Sequence, residues 1–151
     1  MALNEEEDEW DEKIKQALRY SARILIKHPD IDPARITEAL RLKPNMSHLA
    51  GSPRMTPKGG PLPGVYKESA WSHWYRVERN RLFFSEVGKL LDWLEPHKDF
   101  LRGIVDSGGT IDIILHLPGD TNIGDHFRWQ DMARLAALRI DLGIEVFPEF
   151  N

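Results

Sequence analysis

The amino-acid sequence predicts an α+β fold, with a mixed or mainly antiparallel sheet, helices packed on one face and a ferredoxin-like flavour. Stretches in which apolar and polar residues alternate are separated by stretches with helical spacing, so strands and helices interleave along the chain. With 151 residues and 41% hydrophobic content, the chain is long enough to form one domain with a substantial core.

The first strand and helix have the clearest local signals. Residues 21–27 alternate, with Ala22, Ile24 and Ile26 on one side and Arg23, Leu25 and Lys27 on the other. Asp32 is suited to cap a helix, and Pro33 suits the first helical position because its missing N–H would be unpaired there. Pro44 prevents the helix from continuing far.

The later elements follow from the same two periodicities. The sequence predicts a strand at Ala70–Glu78, a helix capped by Ser85, a strand at Thr110–Leu117, a helix at about Phe127–Leu142 and a final strand around Ile144–Val146. Gly143 is expected to end the last helix as its left-handed cap. Trp71 and Trp93 are predicted to be core residues.

The charge is distributed unevenly. Residues 1–12 contain seven acidic side chains and no Lys or Arg, although the whole chain has a net charge of only −4. The sequence therefore predicts an acidic extension at 1–12 and a single domain at 13–151 that has a small basic excess. The extension either binds a basic partner or basic patch, or is simply a solvated terminus. An amphipathic helix containing Trp10, Ile14 and Leu18 is expected to begin inside it.

Residues 44–69 are predicted to form a long Pro/Gly-rich loop, within which short strands have room to form. The loop contains five of the ten prolines, and its basic side chains include Arg54 and Lys58. Long loops in compact domains are usually functional or disordered. The loop is therefore either a flap that binds an anion or a partner, or a mobile insertion.

Several classes of function lack support. The chain has no cysteine, which excludes disulfides and thiolate metal sites and fits a cytoplasmic protein. No apolar run approaches the roughly 20 residues of a membrane helix. The six histidines lie in separate elements, and no serine-hydrolase, phosphate-loop or nucleic-acid-binding motif is present. We therefore expect no catalytic residues, metal, cofactor, nucleic acid or membrane partner.

The best candidate site is the face of the sheet opposite the predicted helices. Strand alternation places on it Arg23, Leu25, Lys27, Asp112, Ile114 and His116. Trp74 and Arg76 are expected to join this face, so the predicted binding residues are Trp74, Arg76 and His116, with Arg54 and Lys58 from the loop. The competing interpretation is that the N-terminal helix or a second copy of the chain covers this face.

The same elements carry a family resemblance. The first strand is followed by the pattern D-P-x-x-I-T-x-x-L-x-L-x-P at 32–44, then Gly51 in a loop and Trp71 in the next strand. Together with the apolar helix through Leu90, Leu91 and Leu94, and the final unit at 143–147, this resembles the bacterial family catalogued as domain of unknown function 4279. The resemblance covers roughly Ser21 to Phe147. It implies the fold, and it implies no activity and no catalytic residues.

These observations favour a small non-enzymatic binding or protein-interaction domain, with a protein partner or a homodimer as the interaction. The alternative is a small-molecule-binding protein or an uncharacterised enzyme with a pocket near the 70–78 strand. A pocket of that kind would use histidine and arginine side chains on or beside this strand.

Overall fold

A computed structural model describes residues 20–76, 82–119 and 123–147. The strands are β1 (Ser21–His28), β2 (Met46–His48), β3 (Pro53–Met55), β4 (Pro61–Val65), β5 (Ser69–Arg76), β6 (Thr110–Pro118) and β7 (Asp141–Phe147). The helices are α1 (Pro33–Leu40), α2 (Phe83–Leu94), α3 (Lys98–Asp106) and α4 (Trp129–Ala137), with a 3-10 turn at Glu95–His97.

The main sheet is mixed, which confirms the predicted α+β class. Its strand order is β2-β5-β1-β6-β7, and β3 pairs with β4 in a separate hairpin. The central strand β1 pairs antiparallel with both β5 and β6, whereas β6 and β7 are parallel and are joined through α4. The ferredoxin-like flavour is limited to the layering of helices on a sheet, because the order of strands is not that of a split βαβ unit.

The hydrophobic core lies between the helices and one face of this sheet. Ala22, Ile24 and Ile26 of β1 are buried and alternate with partly or fully exposed residues. The core continues through Trp71, Ile111, Ile113 and Leu115 of the neighbouring strands and through Ile36, Leu40, Val87, Leu91, Leu94, Leu101, Ile104, Leu135 and Leu138 of the helical layer. The helices therefore cover the predicted face, and the opposite side chains belong to a second face.

The predicted start of α1 is confirmed. Asp32 is the N-cap, and its Oδ1 accepts a hydrogen bond from the backbone N–H of Ala34 at 2.9 Å, with Pro33 at the first helical position. The helix ends at Leu40 because Arg41 adopts a left-handed conformation, with φ of 54°.

The two tryptophans predicted to be core residues have different outcomes. Trp71 is fully buried, and its Nε1 donates a hydrogen bond to Oγ1 of Thr37 at 3.0 Å. Trp93, by contrast, is half-exposed, so the prediction for it was wrong. It lies on α2 outside the buried stripe, and its Nε1 donates to the carbonyl of Leu40.

The end of α4 also differs from the prediction. The helix stops at Ala137, and the left-handed residue is Arg139, with φ of 58°. The N–H of Ile140 donates to the carbonyl of Leu135, which is the bond that closes a Schellman motif. Gly143 instead lies inside β7, where a Cβ atom would come within 3.3 Å of Cγ1 of Ile114.

Residues 44–69 contain three short strands rather than one continuous loop. β2 pairs with β5 at the edge of the main sheet, and β3 and β4 form their own hairpin. The base of the hairpin is fastened by two backbone hydrogen bonds, from Gly51 to Tyr66 at 2.8 Å and from Tyr66 to Ser52 at 3.0 Å. These bonds close the base of the hairpin.

Some predictions lie outside the described residues. They are the acidic extension at 1–12, the amphipathic helix expected to begin in it, and the continuation of the fifth strand to residues 77–78. Across the helices that the structure does describe, none is long and apolar enough to cross a membrane.

Gly109 provides a test of how closely α3 packs against β1. A Cβ atom there would lie 2.7 Å from the carbonyl oxygen of Lys27 and 2.8 Å from that of Ile104, and neither backbone atom can move freely. Gly109→Ala is therefore expected to lower the free energy of unfolding by about 2 kcal/mol or more. Gly103→Ala is the matched control, because a Cβ atom on this helical residue meets nothing within 4 Å.

Urea unfolding of both variants measures the difference. Gly103→Ala should be neutral or should stabilise the protein by up to about 1 kcal/mol, since alanine favours a helix. Equal stability of the Gly109→Ala variant and the wild type would contradict the packing described here.

Candidate functional site

The register of the sheet brings side chains from four strands together on the second face. Arg23 on β1 lies opposite Trp74 on β5. His116 on β6 lies opposite Ser21 of β1 on one side and opposite Glu145 of β7 on the other. With Ser72, which precedes Trp74 by two residues on β5 and so shares its face, Arg23, Trp74, His116 and Glu145 form a set that we call the second-face cluster.

The aromatic rings of the cluster are stacked. The ring centroids of Trp74 and His116 are 4.7 Å apart with an interplanar angle of 25°, and Phe147 lies 5.7 Å beyond His116. The guanidinium carbon of Arg23 lies 5.3 Å from the centroid of Trp74, within the range of a cation–π contact. Trp74 is 41% exposed whereas His116 is only 4% exposed, so Trp74 is the outer ring of the stack and His116 is the buried one.

Burial controls the charge of His116. Nδ1 lies 3.0 Å from Oε2 of Glu145, but the two atoms are not aligned as in a hydrogen bond. Burial lowers the pKa of His116, and the positive charge of Arg23 lowers it further, while Glu145 acts in the opposite direction. The net effect is a lowered pKa of His116. The imidazole is therefore neutral at pH 7 and has one donor and one acceptor nitrogen.

The cluster contains polar atoms that have no hydrogen-bond partner within the described protein. They are Nε of Arg23, Oγ of Ser72 and both ring nitrogens of His116. All three residues lie on the same face and within two strands of one another. Because buried polar groups are nearly always paired in folded proteins, a concentration of unpaired ones marks a place where an interaction is expected.

The structure brings only part of the predicted site together. Trp74 and His116 are in contact, as the alternation of the strands indicated. Arg76 ends β5 opposite Ser21, and its side chain lies outside the described part of the structure. Arg54 and Lys58 belong to the hairpin instead of the second-face cluster.

Arg54 lines a separate cleft of about 280 Å³ beside the hairpin. The imidazole of His48 stacks on Tyr66 there, with ring centroids 3.6 Å apart, and Lys67 and Glu68 complete the lining. Burial lowers the pKa of His48, which keeps this ring neutral at pH 7. Lys58 is exposed in the turn that joins β3 to β4.

A larger cleft of about 630 Å³, which no sequence pattern predicted, lies between the end of β1 and α3. His28 and Ser107 meet there, with Nε2 of the histidine 2.8 Å from Oγ of the serine. They are 79 residues apart, so no local pattern links them.

The hydrogen bonds of His28 exclude its use as a general base toward Ser107. Nδ1 accepts hydrogen bonds from the backbone N–H groups of Asp30 and Ile31 at 3.1 and 2.9 Å. The proton of the neutral ring is therefore on Nε2, which donates to the serine and has no lone pair to accept its proton. Oγ of Ser107 donates in turn to the carbonyl of Gly103 at 2.7 Å. The pair fastens the turn after β1 to α3.

Metal binding has no geometric support in the part of the chain that the structure describes. No three His, Asp or Glu side chains converge there in a way that would hold an ion. Asp112 and Asp141 lie side by side on β6 and β7, and burial together with the Asp141 charge raises the pKa of Asp112. Two carboxylates alone do not make a site.

Comparison with known protein families gives a match over most of the chain. The family model described as a domain of unknown function, DUF4279, matches residues 18–146. The chain belongs to this family. The matched range extends from before β1 almost to the end of β7, so it includes the whole second-face cluster. No curated protein and no solved structure matches the chain.

Lowering the pH is expected to weaken the contribution of His116 to stability. Its pKa is lower in the folded state, so the folded protein binds fewer protons than the unfolded chain. The contribution is complete above the unfolded pKa of about 6.5 and is lost as the pH falls through that value toward the folded pKa. His116→Phe keeps a stacked ring without a titrating group, so the wild type should lose stability relative to this variant on acidification.

Urea unfolding between about pH 7.5 and pH 5 tests this expectation. The control is His126→Gln, which replaces an exposed histidine outside the second-face cluster. A difference between wild type and His116→Phe that stays constant over this range would contradict it.

Substitutions at His28 test whether it fastens the turn. His28→Ala leaves the N–H groups of Asp30 and Ile31 without their acceptor, and we expect a loss of about 2–3 kcal/mol in the free energy of unfolding. In His28→Asn the side-chain oxygen can replace Nδ1, so about half of this loss should be recovered. Equal free energies of unfolding for the two variants, measured by thermal or urea unfolding, would contradict this interpretation.

Proposed function

We propose that the protein is a non-enzymatic binding domain that receives a protein partner on the second face of its sheet. In this proposal Trp74 is the principal contact, and the buried polar atoms of Arg23, Ser72 and His116 reach the partner after a small shift of the surrounding side chains. The observation that carries it is the group of buried polar atoms without a partner in the described protein, gathered beside a tryptophan that is 41% exposed.

The energetics support an interaction at this place. A buried polar group that lacks a hydrogen bond costs about 1–3 kcal/mol, and a partner that supplies the missing donors and acceptors would recover part of that cost. Tryptophan and arginine are also the residues that most often dominate the binding energy of protein interfaces. The contact between Arg23 and Trp74 holds both side chains in place before a partner arrives, which reduces the entropy lost on binding.

A protein partner fits the shape of the site better than a substrate does. The cluster lies on the broad face of a sheet, and its members come from β1, β5, β6 and β7. In the pair of His28 and Ser107, the ring proton lies on the nitrogen that faces the serine, so the histidine cannot act as a general base toward it. We place the interaction in the cytoplasm, where a chain without cysteine needs no disulfide.

A small-molecule-binding protein or enzyme is the second candidate, and one observation favours it. His116 is buried, neutral and close to the Glu145 carboxylate, as in many histidines that transfer protons. In that case a small ligand, rather than a protein, would stack on Trp74. The same variants separate the two candidates.

The test is affinity capture from a lysate of the source organism, followed by quantitative mass spectrometry. Trp74→Ala is expected to lose the captured partner by at least about tenfold, as for a residue at the centre of an interface. Trp129→Ala is the matched control, because it removes a tryptophan that is 73% exposed and lies on α4, outside the cluster. It should retain the partner.

Two results would contradict the proposal. One is a set of captured proteins that does not differ between the Trp74→Ala and Trp129→Ala variants. The other is a small molecule that raises the melting temperature of the wild type but not of Trp74→Ala, which would assign the site to that ligand. Unfolding of Trp74→Ala is measured in parallel, since a large loss of stability would make Trp74 a core residue instead.

A further inference from the structure

The two edges of the main sheet differ in length among the described strands. β2 forms one edge and has only three residues, Met46–His48, whereas β7 forms the other and has seven, Asp141–Phe147. A short edge strand is one of the ways in which proteins prevent sheets from joining. β7 has fewer of these protections. Its sequence D-L-G-I-E-V-F contains neither lysine nor proline, its pairing with β6 runs without a shift of register, and its charged residues are limited to Asp141 and Glu145.

Alternate residues of β7 present their backbone groups to the free edge. The N–H of Gly119 donates to the carbonyl of Phe147, so the backbone groups of Phe147 point toward β6. In a parallel ladder the direction alternates from one residue to the next. The N–H and C=O groups of Leu142, Ile144 and Val146 therefore point away from β6, where no described strand accepts them.

Two of these three residues also have exposed side chains. Ile144 is 52% exposed and Val146 is 60% exposed, although both are opposite core residues of β6, Leu115 and Leu117. They lie on the helical side of the sheet, where the helices leave the outer part of β7 open. An edge with free backbone groups and exposed β-branched side chains is a template for another strand.

We propose that β7 pairs with β7 of a second copy of this chain, antiparallel and with the two-fold axis at Ile144. This register places Ile144 opposite its equivalent and Leu142 opposite Val146, so that every backbone group at the free edge meets a complementary group. About six backbone hydrogen bonds result, and the two sheets become one continuous sheet.

The register keeps like charges on the two copies of β7 from lying directly opposite each other. The acidic residues of β7 are Asp141 and Glu145, and the backbone groups of both point toward β6 rather than toward the free edge. With the axis at Ile144, Asp141 lies opposite Phe147 and Glu145 lies opposite Gly143, so no like charges are directly opposed. The backbone of the strand is therefore complementary to itself in this register, and of the second-face cluster the interface includes Glu145, at the rim of the cluster.

The oligomeric state measured by light scattering over a dilution series tests the proposal. The wild type should have a mass twice the 17.4 kDa of one chain at high concentration and should dissociate on dilution. Ile144→Glu would place two carboxylates opposite each other on the axis, and it should be monomeric throughout. Val65→Glu is the matched control, because Val65 is equally exposed but lies in the hairpin strand β4, and it should remain dimeric.

A cysteine at the axis gives a second measurement that does not depend on how well Ile144→Glu folds. The chain has no natural cysteine, and equivalent Cα atoms in a hydrogen-bonded antiparallel pair are about 5.5 Å apart, within reach of a disulfide. Oxidation should crosslink Ile144→Cys into a dimer and leave Val65→Cys monomeric. A monomeric wild type, a dimer that persists in Ile144→Glu, or equal crosslinking of the two cysteine variants would overturn the proposal.

Discussion

The alternation of β1 is the constraint on which the rest of the structure depends. This strand is hydrogen-bonded on both sides, and every second side chain, including Ile24 and Ile26, enters the core under the helices. A shift of pairing by one residue would bury Arg23 and expose the isoleucines, which the hydrophobic effect strongly opposes. The register is therefore fixed by burial, and the same register fixes which side chains meet on the second face.

The positions of the residues in the candidate site follow from that register. Trp74 and His116 are 42 residues apart in sequence, and they stack because β5 and β6 flank the same central strand. The core specifies where their backbones lie, but it does not require a tryptophan, an arginine and a buried histidine on the opposite face. Hydrogen-bonding groups that are buried and unpaired reduce stability, so their presence here is better explained by an interaction than by folding.

The sequence predicted those features whose causes are local. The cap of Asp32 and Pro33 and the alternation of β1 and β6 follow from neighbouring residues. The predicted role of Gly143 failed because a glycine after a helix usually ends it, whereas here it makes room for Ile114 across the β6–β7 pair. The contact of His28 with Ser107 and the unpaired atoms of the second face depend on tertiary structure. The periodicity of apolar residues in the sequence therefore could not predict them.

The central claim is that Trp74 presents the second face to a partner. Hydroxyl-radical footprinting of the purified protein, alone and with the captured partner, tests it most directly because oxidation reports the exposure of each tryptophan separately. Trp74 should be oxidised in the free protein and protected in the complex, while Trp129 is oxidised equally in both. Oxidation of Trp74 that does not change on binding, or that is already absent in the free protein, would contradict the account.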